Sequence, residues 1–319
     1  MSKTVVMSGG VGAAKFLRGL SQIHPPESIT AIINVADDFQ LHGLAISPDI
    51  DTVTYTLAEQ VNPETGWGQK GESWRVMSEL ERYKGQTWFS LGDLDLALHL
   101  YRTQRLSEGA TLAEITKEVS AAWEIKVNLL PVTNDPVRTR LTVEGEGDID
   151  FQDYFVARQH DVAINAVRFD GASDATPAPG VLEAINEANH IVIAPSNPIV
   201  SIGPLLAIPG IREALVQNKE RVVAVSPIIG GLALKGPADR MLSELGHEPS
   251  TLGVASLYQS FSSTLLLDTA DKHLSTKISN LGLKAVVANT VMSDISKAAQ
   301  VALSAINAIN PPLTGASKS

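Results

Sequence analysis

Residues 3–15 read KTVVMSGGVGAAK, and this stretch decides the fold. Lys3 to Met7 is a short apolar run of the kind that forms a buried parallel strand. Gly9, Gly10 and Gly12 then lead into Ala13 to Leu20, which has helical spacing. Backbone N–H groups at the start of a helix that follows such glycines form an anion site. We therefore expect this segment to bind phosphate.

The glycine segment matches neither of two common phosphate-binding fingerprints. Lys15 stands where a dinucleotide-binding fold has its third Gly or Ala, and the Gly-Lys-Ser/Thr ending of a P-loop is missing. An ordinary tight turn between a strand and a helix would have a similar composition. We interpret the segment as a phosphate site to which Lys15 adds a positive charge. The motif alone does not identify the phosphate-containing ligand.

Strands and helices alternate along most of the chain, which predicts an α/β fold with a doubly wound, mostly parallel, Rossmann-like sheet. The further predicted strands are Ser28–Val35, Trp88–Leu91, Lys126–Val132, Ile191–Ala194, Arg221–Val225, Thr264–Leu267 and Lys284–Val287. The further predicted helices are Asp51–Val61, Asp93–Arg105, Thr111–Trp123, Gly180–Glu187, Ile211–Asn218, Ala238–Leu245 and Ser293–Ile309. We expect one nucleotide-binding transferase domain over residues 1–310 and a frayed tail at 311–319. An inserted subdomain of helices and a hairpin (Arg138–Val143 with Asp148–Phe151) is expected at about 91–167.

Composition excludes several classes of protein. The chain has 319 residues and a net charge of −10, which disfavours a binder of nucleic-acid backbones. It has no cysteine, so disulfides, thiolate metal sites and cysteine nucleophiles are excluded. We find no apolar run long enough for a signal peptide or a membrane span. These features predict a cytoplasmic protein without membrane association.

Four segments follow predicted strands and should meet at one edge of the sheet, where ligands bind in such folds. They are Gly9–Lys15, Val35–Asp51, Pro195–Gly203 and Ser226–Gly231. The second contains four carboxylates, which suit Mg²⁺ because that ion prefers oxygen ligands. We expect Asp37 and Asp51 to be the metal ligands, whereas Asp38 fits a turn residue and Asp49 fits a helix cap equally well.

Several other residues admit two readings. Asp93 and Asp95 begin a predicted helix, where acidic residues are favoured without any catalytic role. Trp67 and Trp74 lie among glycines and fit either an aromatic wall for a flat ring or core packing. His42, within the acidic segment, fits proton transfer or a plain surface loop. We find no Ser-His-Asp order and no Gly-x-Ser-x-Gly elbow.

An ordered set of motifs resembles a known family. The motifs are Ser8-Gly9-Gly10-Val11-Gly12, Asn34-Val35-Ala36-Asp37-Asp38, Ser47-Pro48-Asp49-Ile50-Asp51-Thr52-Val53, Ser90-Leu91-Gly92-Asp93, Ala194-Pro195-Ser196-Asn197-Pro198 and Ser226-Pro227-Ile228-Ile229-Gly230. Together they resemble the 2-phospho-L-lactate transferase family of coenzyme F-420 biosynthesis, from Lys3 to about Ile309. The chain departs from the family pattern at Ser90 and Leu94, where members often carry a basic residue, and at Ala36, which is often Gly.

The resemblance implies a Mg²⁺-dependent transfer. A guanylyl-diphospho-linked acid (lactyl, enolpyruvyl or glyceryl) would donate its phospho-acid half to a ribityl hydroxyl of the deazaflavin Fo, and GMP would leave. Asp37 and Asp51 would be the catalytic, metal-binding residues, with Asp51 close to the Fo hydroxyl. The residues expected to contact substrate are Gly9, Gly10, Gly12, Lys15, Asp49, Thr52, Ser90, Asp93, Ser196, Asn197, Pro198, Ser226 and Gly230. Among these, Ser90 and Asp93 would help to seat Fo. The family also implies a homodimer.

Two alternatives remain. The gluconeogenesis-factor-like proteins share the glycine segment but bind UDP-sugars as regulators without transferase activity. The Ser47–Val53 motif and the Trp67-Gly68 pair favour the transferase over this regulator. A Rossmann oxidoreductase is disfavoured because the third glycine of the fingerprint is missing.

Overall fold

A computed structural model describes residues 2–309 of the chain. Its strands are β1 (Thr4–Ser8), β2 (Ile29–Ile33), β3 (Phe39–Leu41), β4 (Leu44–Ile46), β5 (Asn128–Pro131), β6 (Arg138–Val143), β7 (Gly147–Asp150), β8 (Ile164–Asp170), β9 (His190–Ile193), β10 (Val222–Val225), β11 (Ile228–Ile229), β12 (Leu232–Ala233), β13 (Thr264–Asp268) and β14 (Lys284–Ala288). Its α-helices are α1 (Gly10–Leu20), α2 (Pro48–Leu57), α3 (Arg75–Arg82), α4 (Asp93–Ser107), α5 (Leu112–Ala122), α6 (Val181–Glu187), α7 (Gly203–Ala207), α8 (Ile211–Gln217), α9 (Ala238–Glu244), α10 (Thr251–Tyr258), α11 (Ser275–Asn280) and α12 (Ile295–Ile309). Two π-helices cover Asp153–Ala157 and Pro198–Ile202.

The central sheet has the strand order β5-β2-β1-β9-β10-β13-β14 within residues 2–309. All of its neighbouring strands run parallel. Starting from β1, strands β2 and β5 lie on one side of it, whereas the later strands β9, β10, β13 and β14 lie on the other side. The strand order therefore reverses between β1 and β9. This is the doubly wound arrangement, and it confirms the predicted fold class.

The central strands are apolar on both faces because helices cover both sides of a parallel sheet. Every residue of β1, β9, β10 and β13 is buried. On one face α1 packs against both α2 and α12. A Cβ atom at Gly19 of α1 would collide with the backbone of Ala298 in α12. The absence of a side chain there lets the two helices approach closely.

A smaller antiparallel sheet, β7-β6-β8, lies beside the main one and contains the predicted hairpin. It has its own small core, which includes Leu141, Tyr154, Ile164 and Met241. Strand β5 lies within the predicted insert at 91–167, yet it pairs with β2 in the central sheet. The division into a domain and an insert stays a prediction, and the tail at 311–319 lies outside the described residues.

Other local predictions have mixed outcomes. The capping box at Thr111 is present, with Glu114 bonded back to the Thr111 N–H. The strand predicted at Trp88–Leu91 is wrong, because these residues form irregular chain. Among residues 2–309 no single helix is both long and apolar enough to cross a membrane. One bent pair, Pro198–Ala207 with Ile211–Gln217, meets the length and composition only when its two helices are taken together.

Candidate active site

A cavity of about 870 Å³ opens at the carboxyl end of the central sheet. It lies where the loops after β1 and β9 diverge, which is the position at which doubly wound sheets bind ligands. The loops after β1, β9, β10 and β14 all contribute to its wall, as does helix α2. Segments far apart in the sequence therefore meet here because the strand order reverses.

The glycine loop, residues 9–12, forms one wall of the cavity and begins helix α1. Gly10 has a φ of +68°, a conformation that favours glycine. A Cβ at Gly12 would collide with the carbonyl oxygen of Pro195, and Ser196 Oγ donates to Gly9 O at 2.6 Å. The loops after β1 and β9 are thus interlocked. The Asp49 carboxylate accepts from the Gly10 N–H, the first of α1, and the N–H groups that follow form an anion site of the kind found at helix N-termini.

Two buried carboxylates, Asp37 and Asp49, line the cavity beside this loop. Asp37 Oδ1 accepts from Thr139 Oγ1 at 3.1 Å, and Asp49 Oδ2 accepts from Asn34 Nδ2 at 3.0 Å. Burial, followed by repulsion from Asp49, raises the pKa of Asp37 well above its ordinary value. Burial likewise raises the pKa of Asp49 to about 6. The pair concentrates negative charge that a cation would neutralise.

Asp51 has a different environment, because an arginine already neutralises it. Both Asp51 carboxylate oxygens accept from the Arg102 guanidinium of α4, one through Nη2 and the other through Nη1 at 3.2 Å. His99 Nδ1 lies 3.7 Å from Asp51 Oδ2 and 3.2 Å from Arg102 Nη1. All three side chains are buried, and burial lowers the pKa of His99 to about 4. This arrangement fixes the position of the Asp51 carboxylate on the cavity wall.

Two lysines face the cavity near the glycine loop. Lys15 extends from the second turn of α1, and Lys235 comes from the loop that follows β12. Partial burial, and then the charge of Lys235, lower the pKa of Lys15. The cavity wall therefore carries positive charge at this point, although the whole chain has a net charge of −10.

Aromatic rings also line the cavity. They are those of Trp67, Trp88, Phe89, Phe151 and Phe155. Phe151 and Phe155 are stacked, with ring centroids 5.4 Å apart and an interplanar angle of 18°. Exposed rings such as those of Trp67 and Trp88 offer flat apolar surface to a planar ligand. One cavity wall thus carries both a phosphate-type loop and aromatic surface.

Comparison with known proteins identifies the family. Residues 4–308 match the family described as 2-phospho-L-lactate transferase CofD. The chain is a member of this family. Phosphoenolpyruvate transferase of Streptomyces griseus is 43% identical to the chain over 309 residues, 95% of this chain and 97% of that protein. 2-phospho-L-lactate transferase of Methanosarcina mazei is 37% identical over 298 residues, 93% of this chain and 97% of that protein.

The chain is accordingly a phospho-group transferase, as predicted. Its fold is similar to that of protein BH3568 from Bacillus halodurans, described as a member of the UPF0052 family. Two structures of that protein cover 96% of the transferase, with TM-scores of 0.64 and 0.65 at 21% and 20% identity. At such identity the likeness concerns the fold alone.

Most of the predicted site residues of the transferase line the cavity. These are Gly9, Gly10, Gly12, Lys15, Asp37, Asp49, Asp51, Thr52, Ser90, Ser196, Asn197 and Ser226. Three lie outside its wall. Asp93 is exposed and binds Ser73, Pro198 begins the π-helix after β9, and the Gly230 N–H donates to Asp271 Oδ2 at 3.1 Å. Their surroundings are those of residues that shape loops around the cavity.

Two of the residues that line the cavity also hold its loops. Asn197 Oδ1 accepts from the N–H groups of Ile199 at 2.9 Å and Val200 at 3.4 Å, which caps the π-helix. Ser226 Oγ donates to Ile228 O at 2.9 Å and lies 3.1 Å from Thr251 Oγ1. Their polar atoms thus serve the backbone of the loops after β9 and β10. His42, in contrast, lies in the turn between β3 and β4 and does not line the cavity.

Several residues on the cavity wall were missed by the sequence analysis. They are His99, Lys235, Phe89, Phe151, Phe155 and the segment Thr290–Ser293. Arg102, which lies behind Asp51, was missed as well. Only Thr290–Ser293 carried a usable signal, since it follows the predicted strand at Lys284–Val287 and therefore reaches the same sheet edge. The others lie on helices or irregular chain, where spacing does not reveal the direction of a side chain.

Proposed function

We propose that this transferase moves a phospho-acid group from a guanylyl-diphospho donor to the ribityl hydroxyl of the deazaflavin Fo and releases GMP, in coenzyme F-420 biosynthesis. The observation that carries this proposal is that one cavity wall contains both a phosphate-type glycine loop and several aromatic rings. The glycine loop and Lys15 suit a diphosphate, while the aromatic rings suit a flavin-like ring. Asp37, Asp49 and Asp51 lie in the wall of the same cavity.

The reaction requires positioning and charge neutralisation more than covalent catalysis. We expect the N–H groups at the start of α1 to bind the diphosphate, together with Lys15. The Fo hydroxyl oxygen attacks the distal phosphorus, the bond between that phosphorus and the GMP phosphate oxygen breaks, and the hydroxyl proton is released. Asp51 would orient this hydroxyl, because Arg102 holds its carboxylate in one position. The apolar rings would exclude water from the attacking side.

The carboxylates of the cavity fit a divalent cation. Mg²⁺ in phosphate-transfer sites commonly takes one or two carboxylates and completes its ligands with substrate phosphate oxygens and water. Asp37 and Asp49 offer two buried, mutually repelling carboxylates beside the glycine loop. Asp51, the expected partner of Asp37, would have to exchange a bond from Arg102 to serve as a ligand. A bound cation would neutralise negative charge on the diphosphate and on the departing GMP.

The proposal also concerns which acid the donor carries. Phosphoenolpyruvyl is the first to test, because the relative from Streptomyces griseus is named a phosphoenolpyruvate transferase. Phospholactyl is the next, because the relative from Methanosarcina mazei is named a 2-phospho-L-lactate transferase. Phosphoglyceryl completes the set. A cytoplasmic homodimer that binds neither nucleic acid nor membrane is proposed as the form that acts.

The purified protein should release GMP when incubated with Mg²⁺, Fo and one of the three guanylylated phospho-acids. Release is followed by chromatography, with mass spectrometry of the deazaflavin product and an incubation without Fo as the control. Asp51→Asn should reduce the rate at least a hundredfold, whereas Asp174→Asn, at an exposed residue that does not line the cavity, should leave it unchanged. Absence of GMP with all three donors, together with tight binding of a UDP-sugar, would favour the regulatory alternative.

A further inference from the structure

Lys235 belongs to a loop whose base is fixed and whose tip faces the cavity. At the base, the Gly230 N–H and Thr251 Oγ1 both donate to Asp271 Oδ2, at 3.1 Å and 3.0 Å. At the tip, Leu234 and Lys235 are exposed and line the cavity. The loop is thus anchored near β11 and free of such anchors where Lys235 projects.

The Lys235 side chain reaches across to the segment that carries Trp67. Its Nζ lies only 3.2 Å from where a Cβ at Gly66 would be. Lys15, by contrast, belongs to the helix that begins with the glycine loop. The charge of Lys235 nevertheless acts on Lys15 and helps, after burial, to lower its pKa. Both lysines therefore lie on the cavity wall, one on the helix that begins with the glycine loop and the other beside the segment that carries Trp67.

Neither lysine has an anionic partner among residues 2–309. Other lysines of the chain do, such as Lys3 with Glu187, Lys126 with Glu27 and Lys297 with Asp294. Two like charges near each other repel, and an anion placed between them converts this repulsion into attraction. An oxyanion is the ligand whose binding such a pair favours most.

We propose that Lys235 and Lys15 together bind the distal phosphate of a nucleoside diphosphate, the phosphate that carries the group to be transferred. The inference rests on the proposed function for the direction in which the nucleotide lies. The proximal phosphate belongs with the N–H groups of the glycine loop. Lys235, whose ammonium lies beside Gly66 in the segment that carries Trp67, is then positioned for the phosphate farther from the glycine loop. It is a substrate-binding residue outside the predicted motifs, and it comes from a different loop than Lys15.

The test compares GDP, GMP and inorganic pyrophosphate by isothermal titration calorimetry. Four proteins are used: the wild type, Lys235→Gln, Lys15→Gln and the double variant. Lys277→Gln serves as the control, because Lys277 lies on α11 away from the cavity and its replacement changes the net charge equally. We expect Lys235→Gln to weaken GDP about tenfold and GMP less than twofold, since only GDP has the distal phosphate.

The double variant should lose less affinity for GDP than the product of the two single losses, because both lysines contact one phosphate. Lys235→Arg should restore most of the affinity. The proposal is overturned if Lys235→Gln binds GDP as Lys277→Gln does, or if GMP weakens as much as GDP. If the wild type binds no guanine nucleotide, the proposed function is contradicted. If Lys235→Gln nevertheless weakens the binding of pyrophosphate, the role of the lysine pair in binding phosphate is still supported.

Discussion

At the scale of single residues, the ion pair between Asp51 and Arg102 is the most consequential feature of the site. Both side chains are buried, at 5% and 2% exposure, and they bind each other through two pairs of atoms. A buried pair of this kind contributes little net stability, but removing one partner leaves an uncompensated charge. The pair therefore makes the position of Asp51 depend on a residue of helix α4.

Replacing Arg102 with Met should destabilise the protein by roughly 3–5 kcal/mol, because the Asp51 carboxylate would be left buried without its partner. Urea denaturation followed by circular dichroism measures the change. The double variant Asp51→Asn with Arg102→Met should recover a large part of the loss. Strictly additive effects of the two substitutions would show that the pair is not energetically coupled.

The acidic residues of the site could be predicted from the sequence, whereas their basic partner could not. Asp37, Asp49 and Asp51 follow a buried strand closely, so the sheet edge was their expected place. Arg102 is separated from Asp51 by 51 residues, and it lies within an ordinary helical pattern. Only the path of the chain through β3, β4 and α3 brings α4 against α2. That path depends on tertiary packing, which cannot be predicted from the spacing of residues along a single helix or strand.

At the scale of elements, the segment from Gly66 to Trp74 is hydrogen-bonded to and packed against the start of α4. The Ser73 N–H and Oγ donate to the two oxygens of Asp93, at 2.7 Å and 3.0 Å. The Glu72 carboxylate occupies the space that side chains at Gly68 and Gly92 would fill. Trp67, in the same segment, forms part of the aromatic wall. The contacts of Glu72, Ser73 and Asp93 thus hold the position of Trp67, although these three residues do not line the cavity themselves.

Asp93→Ala should release this segment and weaken binding of the aromatic substrate, with the KM for Fo rising about tenfold, since ordering the loop would then cost conformational entropy. The affinity for GDP should stay within twofold of the wild type. Glu64→Ala is the control, because Glu64 lies in the same stretch of chain and its side chain is exposed. Equal losses in Fo and GDP would contradict a role confined to the aromatic wall.

The elements themselves were predictable to different degrees. The central strands are mostly apolar, so they could be recognised from composition alone. Helix α3 has apolar residues at helical spacing (Val76, Met77 and Leu80), but it is only eight residues long and follows a glycine-rich segment, which masked the pattern. The hairpin of β3 and β4 was missed because its strands have three residues each. Leu91, within the wrongly predicted strand, packs in a small separate core with Leu41 and Ile46 instead.

At the scale of the whole molecule, the pairing of β1 with β2 brings the glycine loop and the carboxylates to one sheet edge, so a cation bound there would link metal binding to stability. Without a cation the fold has to bury the repelling pair Asp37 and Asp49. A cation that binds only the folded chain stabilises it in proportion to the logarithm of its concentration. Binding of the ion and folding of the chain would therefore be thermodynamically coupled.

Mg²⁺ at a hundred times its dissociation constant should raise the free energy of unfolding by about 2.7 kcal/mol. Asp37→Asn should abolish this gain. This variant should also unfold at a higher temperature than the wild type when both are free of metal, because it removes the carboxyl that repels Asp49 while Thr139 keeps an oxygen acceptor. Differential scanning calorimetry with Mg²⁺ or EDTA tests both statements. A Mg²⁺-dependent rise that persists in Asp37→Asn would place the ion elsewhere.

The contact of α1 with α12 also bears on how the protein folds during synthesis. A Cβ at Gly19 of α1 would meet the backbone of Ala298 and Ala299 in α12, so the two helices pack closely there. Because a chain is made from its N-terminal side, α1 is synthesised long before residues 295–309 can pack on it. The cavity wall formed by the glycine loop therefore gains the support of α12 only after those residues have been made. A nascent chain that stalls before α12 would present the uncovered face of α1 to chaperones and proteases.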